Sequence, residues 1–283
     1  MAIENISDTA RWVAVYRAME TARPDAIFRD PFADRLAGPR GREIVAEMPQ
    51  GVSLAWPMIV RTAVFDEIIL DAVQTRKADL VVNLAAGLDA RPWRLPLPPS
   101  LHWVDVDLPG ILNYKTETLR DEKPVCHYEA VTADLTDVEA RRTLFARLGA
   151  GSSRALVVTE GLLVYLTPEQ VGALATDLHA QPSFKEWLID LASPQLLQRM
   201  EKTWGKNLAA SGAPFRFGPA EGTEFFRPYG WRESQFRSMW EEAGRLHRTM
   251  KGAWFWNLIG KLSPKKVREG FRRFSGLVLL ERE

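Results

Sequence analysis

The chain is 283 residues long, 46 % hydrophobic and 26 % charged, which suits one elaborated soluble domain and excludes a low-complexity or disordered polymer. A formal net charge of +1 excludes a broad electrostatic footprint for nucleic acid or an anionic membrane. The single cysteine, Cys126, excludes an intramolecular disulfide and argues against a cysteine-based metal site.

In chain order, Ser7 or Asp8 is placed to cap a first helix that runs to about Ala22, where Pro24 stops it. Asp30-Pro31 opens a short element that Gly38-Pro39 breaks. Ile59, Val60, Val64, Ile68 and Ile69 recur at helical spacing and predict a longer helix from Pro57 to Gln74. From Asp79 the pattern changes. Strands are expected at Leu80–Ala85, His102–Asp107, Val125–Val131, Ala155–Thr159 and Trp187–Leu191. Helices are expected between them at Gly110–Arg120, Asp137–Leu148 and Pro168–Leu178. This alternation predicts an α/β, doubly wound, mostly parallel sheet. After Pro194 a helix near Gln195–Leu208 leads into a loop, SGAPFRFGPAEG, and a further helix is expected over Trp231–Gly244. The terminal GLVLLERE reads as the last strand, and 192–230 as an insertion that caps a pocket. Lys261, Lys265, Lys266, Arg268, Arg272 and Arg273 read as a solvated helix face. No basic region followed by an apolar run opens the chain and no stretch is apolar enough to span a bilayer, so a cytoplasmic location is the expectation.

Four successive strands end in small or acidic residues. NLAAGLD places Ala85, Ala86, Gly87 and Asp89 in a turn where the backbone can approach a ligand. It is neither GxxxxGK[ST] nor GxGxxG, which disfavours a phosphate loop and a nicotinamide-dependent oxidoreductase. HWVDVDLP places Asp105 and Asp107 about twenty residues on, where an acidic residue commonly takes ribose hydroxyls. The two are two residues apart on a strand and so share a face. Asp134 is placed to accept from an adenine amino group, with Leu135 covering the ring. Glu160, followed by Gly161, ends a very apolar strand and needs a cationic partner, either a ligand ammonium or a side chain such as Arg61. Ligands of open α/β sheets bind at the carboxyl ends of the strands, so the series suggests a nucleoside with a cationic tail, S-adenosylmethionine. Ten tryptophans add an aromatic bias. Trp204, Phe215, Phe217, Phe225, Phe226, Tyr229 and Trp231 favour an enclosed aromatic acceptor pocket, while Trp12, Trp56, Trp240, Trp254 and Trp256 extend the bias outside the sheet.

The motifs TARWVAVYRAMET, FRDPFADRLAG, RTAVFDEII, NLAAGLDARPWRL, WVDVDLPGILNYKTETL, ADLTD, TEGLLVYLTPEQV and FRPYGW occur in one order. On them the chain resembles the leucine carboxyl methyltransferase family of S-adenosylmethionine-dependent enzymes, within it the bacterial, tetracenomycin carboxyl O-methyltransferase-like branch linked to polyketide O-methylation. The resemblance implies a class I methyltransferase, a Rossmann-like seven-stranded sheet with N-terminal helices and an inserted cap. It implies one domain: 1–76 as the helical part of the cap, 77–191 as the cofactor-binding core, 192–250 as the cap insertion and its helix, and 251–283 as a C-terminal helix and strand. It implies that Arg61 holds the cofactor carboxylate, the Ala85–Gly87 turn the cofactor, Asp107 the ribose with Asp105 beside it, Asp134 and Leu135 the adenine, and Glu160 the amino group. Tyr165, in the family's EGLLxYL stretch, and Tyr16 are positioning candidates. Arg11 and Arg17 are candidates for the family's N-terminal cationic contact. The chain departs from the family at Ala85, where glycine is frequent, and at Ala90, where threonine is frequent.

The expected reaction is methyl transfer by in-line displacement to a carboxylate or hydroxyl of a small, aromatic or polyketide-like molecule. A carboxylate acceptor needs no general base, whereas a phenol with a pKa near 10 is helped by one. None of His102, His127, His179 and His247 falls in a motif that sets it at the methyl, which favours a carboxylate. No metal cluster and no nucleic-acid or membrane partner is expected. Methylation of a protein C-terminal carboxylate and non-catalytic cofactor binding remain alternatives.

Overall fold

The computed structural model describes residues 6–48, 51–52, 55–210, 214–250, 252 and 264–283. Trp254, Trp256 and Lys261 lie outside the described residues, as do the side chains of Ser7, Trp204 and Lys266. Three helices come first: α1 (Ile6–Thr21), α2 (Ala33–Glu47) and α3 (Ala55–Gln74). Asp8 lies inside the first turn of α1, where it pairs with Arg40, rather than capping it. Helix α2 is two helical pieces joined at Gly38, whose φ of 62° and the following Pro39 make the expected break.

The α/β part then alternates β1 (Leu80–Leu84), α4 (Arg91–Arg94), β2 (His102–Asp107), α5 (Pro109–Thr118), β3 (His127–Thr132), α6 (Val138–Ala150), β4 (Ala155–Thr159), α7 (Pro168–His179) and β5 (Phe184–Ala192). A 3₁₀ turn, Leu163–Tyr165, links β4 to α7. After β5 come α8 (Pro194–Ala210), a 3₁₀ helix (Gly222–Tyr229), β6 (Trp231–Ser238), α9 (Met239–Arg245), α10 (Lys265–Arg272) and β7 (Ser275–Arg282). The seven strands form one sheet in the order β3-β2-β1-β4-β5-β7-β6. All pairs are parallel except β5–β7 and β6–β7. The strand order reverses between β1 and β4, which is where a doubly wound sheet opens a crevice at its carboxyl ends.

The expected helix over Trp231–Gly244 is corrected. Trp231–Ser238 is a strand along β7 and only Met239–Arg245 is helical. WRESQFRS carries no strong apolar period of either kind, and pairing with the buried β7 decides its conformation.

Strand alternation divides the core between the two faces of the sheet. Val82, Val104, Val157 and Trp187 pack on one side with α6 and α7. Val81, Leu156, Leu188 and Leu279 pack on the other with α3 and α9. A third cluster joins α1 and α2 to Leu88, Trp93 and Phe215, which seats the N-terminal helices over the strand ends.

Candidate functional site

A cavity of about 760 Å³ opens over the carboxyl ends of β1, β2, β4 and β5, a size within the range of small-molecule sites. Its floor starts where β1 stops. Ala85 and Gly87 both take left-handed backbone, with φ of 53° and 51°. A Cβ on Gly87 would stand 3.1 Å from Ala10 Cβ, so the turn passes close beneath α1. The Gly87 N–H donates to Asp107 Oδ2 at 2.6 Å, and the Leu108 N–H donates to Oδ1 at 2.7 Å. Burial raises the Asp107 carboxyl above its ordinary value, against the pull of those two donors. Each oxygen keeps lone pairs for a further donor, as a carboxylate gripping two ribose hydroxyls requires. Leu135 and Asp134 line the next stretch. Asp134 accepts from the Thr136 N–H and hydroxyl, which hold its carboxyl below the ordinary value.

Behind the floor runs a chain of alternating charges. Asp190 accepts from the Gly161 N–H at 2.7 Å and pairs with Arg61 at 3.0 Å. Arg61 also donates to Glu160 at 2.9 Å, and Arg91 meets the other Glu160 oxygen at 2.8 Å. Arg91 further holds Asp89 at 2.7 Å and Asp66 at 2.6 Å. Asp66 takes Arg94 through two bonds of 2.7 Å, and Arg94 approaches Asp30, which pairs with Arg17 at 2.8 Å. Arg17 also donates to the Leu88 carbonyl at 2.6 Å, tying α1 to the turn after β1. Burial raises the Asp89 carboxyl, but the Arg91, Arg94, Lys115 and Arg17 charges outweigh it and hold it at about 2. Burial likewise opposes ionisation of Glu160, and Arg91 and Arg61 overcome it and lower its pKa. Asp190, Glu160, Asp89, Asp66 and Asp30 are five carboxylates against the four guanidiniums of Arg61, Arg91, Arg94 and Arg17. The lattice therefore carries one net negative charge beside the cavity, which suits a cationic ligand.

The rest of the wall is apolar and aromatic. Tyr165 stacks on Phe215 at 5.7 Å, and Trp56 meets Trp240 edge to face at 6.3 Å. Trp12, Met58, Met200 and Met239 add to this side. Burial pushes the Tyr165 hydroxyl up to about 12.

The expected site residues separate into two groups. Arg17, Arg61, Ala85, Ala86, Gly87, Asp89, Asp107, Asp134, Leu135, Glu160, Gly161 and Tyr165 line the cavity. Asp105, Tyr16, Arg11, Phe226 and Tyr229 do not. Asp105 is fully buried two residues deeper in β2, where it accepts from Lys115 at 2.7 Å, Asn83 at 3.0 Å and Trp103 at 2.9 Å. It holds Asn83, which in turn donates to Asp89, so it braces the site from below. Tyr16 is fully buried and donates to the Gly51 carbonyl. Arg11 lies 3.8 Å over the Tyr114 ring. Phe226 and Tyr229 pack in the core on the α7 side of the sheet, Phe226 against Trp187 at 5.3 Å. Trp204 lies in the span where side chains are not described. Five residues of the lattice, Asp190, Arg91, Arg94, Asp66 and Asp30, are not among the expected site residues. Asp190 carries the same signal as the others, an acid near the end of a buried strand, in WLIDLA. Arg91 and Asp66 carry no signal, because their partners come from distant segments.

A family model described as leucine carboxyl methyltransferase matches residues 10–179. A relative from Mycolicibacterium smegmatis, provisionally described as an S-adenosyl-L-methionine-dependent methyltransferase, is 33 % identical over 192 residues, covering 62 % of this chain and 63 % of the relative. One from Streptomyces coelicolor with the same provisional description is 32 % identical over 185 residues, covering 61 % and 64 %. The chain thus spans less than two thirds of the length of these relatives. In fold, the molecule is similar to a DUF574 family protein from Streptomyces avermitilis, with a TM-score of 0.61 at 14 % identity over 97 % of both chains. It is similarly close to a provisionally assigned methyltransferase from Thermobifida fusca, with a TM-score of 0.60 at 14 % identity over 100 % of this chain and 96 % of the other.

Proposed function

The chain belongs to the leucine carboxyl methyltransferase family, and from that premise we propose that it is an S-adenosylmethionine-dependent O-methyltransferase of a small aromatic molecule. The observation that carries the reading is the juxtaposition of a net-negative row of strand-end carboxylates with an apolar, aromatic chamber in one cavity. The first suits a nucleoside with a cationic tail and the second suits its methyl acceptor. When bound, S-adenosylmethionine supplies a methyl group on a sulfonium, which leaves as a neutral thioether. Asp107 takes the ribose, the Ala85–Gly87 turn passes beneath it, and Asp134 and Leu135 face the adenine. Glu160 and Asp190, fixed by Arg61 and Arg91, receive the ammonium of the cofactor's amino acid end.

The acceptor oxygen is best read as a carboxylate. Among the described lining residues there is no histidine, lysine or cysteine, and the one tyrosine is held protonated by burial. Asp89 and Glu160 are held ionised by arginines and are poor proton acceptors near neutrality. A carboxylate is already anionic at that pH and needs only alignment and exclusion of water.

Calorimetric titration with S-adenosylmethionine and S-adenosylhomocysteine tests the cofactor. Mass spectrometry of acceptor panels incubated with methyl-labelled cofactor tests the oxygen. Micromolar binding with label on aromatic carboxylates is expected. No cofactor binding sinks the methyltransferase reading, and label on phenols alone overturns the carboxylate preference.

A further inference from the structure

Five arginines line the cavity, and they divide sharply. Arg17, Arg61 and Arg91 each meet at least one carboxylate within 3.0 Å. Arg199, on α8, and Arg216, in the segment after it, have no carboxylate and no side-chain hydrogen bond among the described residues. The carboxylates that line the cavity are Asp89, Asp107, Asp134, Glu160 and Asp190, all on or just beyond the ends of β1 to β5. None comes from the segments that carry Arg199 and Arg216. Several exposed arginines elsewhere do find partners, as Arg245 meets Glu67 and Arg273 meets Glu233, each at 2.8 Å.

The two segments are held together. Leu197 and Met200 of α8 pack against the apolar cluster that contains Phe215, and a Cβ on Gly218 would stand 3.3 Å from Leu197. The Arg216 N–H donates to the Val164 carbonyl at 2.7 Å. Phe215 and Phe217 are buried on either side of it, so Arg216 turns outward to the rim, and Arg199 is exposed as well. Among the described residues, the lining guanidiniums near the strand ends are thus all paired with carboxylates, and those of Arg199 and Arg216 are not. A guanidinium fork matches carboxylate, sulfonate and phosphate oxygens.

We infer that Arg199 and Arg216 form an anion subsite that holds a second, negatively charged group of an apolar acceptor, away from the oxygen that is methylated. This rests on the reading of the cavity as a methyl-transfer site. Transfer requires excluded water, which the two exposed side chains do not provide, so the anion they hold is not the reacting group. The acceptor class is an aromatic amphiphile with its charge at the end opposite the reacting oxygen.

The test compares two fluorescent probes of one shape. Anilinonaphthalene sulfonate carries an anion that cannot be methylated, and N-phenylnaphthylamine is its neutral counterpart. Each is titrated into wild type, Arg199→Gln/Arg216→Gln and Arg199→Lys/Arg216→Lys, with S-adenosylhomocysteine titrations as the folding control. The glutamine pair is expected to lose about tenfold in sulfonate affinity, roughly 1.4 kcal/mol, with the neutral probe unmoved. The lysine pair recovers most of the loss, and added salt shrinks the wild-type advantage. Equal losses for both probes, or no loss for either, overturn the subsite. If wild type binds no S-adenosylhomocysteine the methyltransferase reading falls, while the probe comparison still decides whether the arginines select an anion.

Discussion

The two halves of the cavity are built on different principles. At the strand ends every cavity-lining carboxylate is held by an arginine or by an N–H or hydroxyl donor, and the backbone takes part: the Gly87, Leu108 and Gly161 N–H groups all donate to side-chain carboxylates. Across from them, α1, α8 and the 214–217 segment offer rings and thioethers with few fixed polar atoms. Sheet register sets where each strand ends to within a residue, so charges placed there are positioned before any ligand arrives. Helices packed by aromatic contact define a shape instead, and a shape changes with small shifts of the helices. On the proposed reading, the cofactor is recognised through fixed hydrogen bonds and the acceptor through volume and two rim charges.

The strongest way to break this division is at Arg91, which is almost fully buried and serves Asp66, Asp89 and Glu160 together. Arg91→Leu leaves three carboxylates facing one another without a shared cation. Removing one member of a buried ion pair typically costs about 3–5 kcal/mol, and a loss of that order is expected in urea unfolding, together with loss of cofactor binding. Retained stability with only weaker binding would make the lattice a ligand-binding device rather than part of the scaffold.

Asp107→Ala is the next largest test and is aimed at affinity. It removes two acceptors at the proposed ribose position, and at least a tenfold loss of S-adenosylhomocysteine affinity is expected, about 1.4 kcal/mol. Phe215→Leu, in the other half, should leave that affinity within about twofold while raising KM for the acceptor. A large cofactor effect from Phe215→Leu would show that the halves are coupled through the Tyr165 stack.

Acid should separate the same two functions. Asp107 has a raised pKa, so on acidification it takes up a proton before an ordinary carboxylate does. Asp89 is held at about 2, below its unfolded value. Its stabilisation is present at neutral pH and is lost only as pH falls towards that value. Between these limits the protein is expected to stay folded and lose the cofactor. Calorimetry and circular dichroism between about pH 4 and 7 follow the two events, and simultaneous loss would contradict the assignment of Asp107.

How much of this was legible follows from which forces act locally. Val81, Val82, Val157 and Val158 mark strands by their own chemistry, and Asp107 and Glu160 mark strand ends because such residues are costly further in. Asp105 was misplaced because alternation reports the face of a strand but not its depth. Lys115, ten residues on, makes its burial tolerable. Phe226 and Tyr229 are expected at the cavity on aromatic content, which carries no direction, and Tyr16, a positioning candidate, is buried against Gly51 instead. Which side a ring faces is settled by the segment's path over the sheet. The helix expected over β6 fails because pairing with β7 imposes its conformation. Arg91 and Asp66 lie 25 residues apart in sequence and meet only once α3 is docked on the sheet.

The smallest effect tests the one place where the cofactor half departs from its own economy of fit. Ala85 takes φ of 53°, a conformation that an L-residue with a Cβ adopts at a cost of about 1–2 kcal/mol. Ala85→Gly removes that strain, but glycine also enlarges the freedom of the unfolded chain, which offsets about 0.4–1 kcal/mol of the gain. The expected net is about 0.5–1 kcal/mol of added stability, read as a higher urea midpoint with unchanged slope. Cofactor affinity reports what the strain is for. If it is unchanged, the left-handed turn is fixed by its surroundings, including the Ala86 N–H bond to the Val106 carbonyl and the Gly87 bond to Asp107. If stability rises while affinity falls, the methyl group of Ala85 narrows the turn's alternatives, and the strain is retained because it holds the floor of the cavity ready for its ligand.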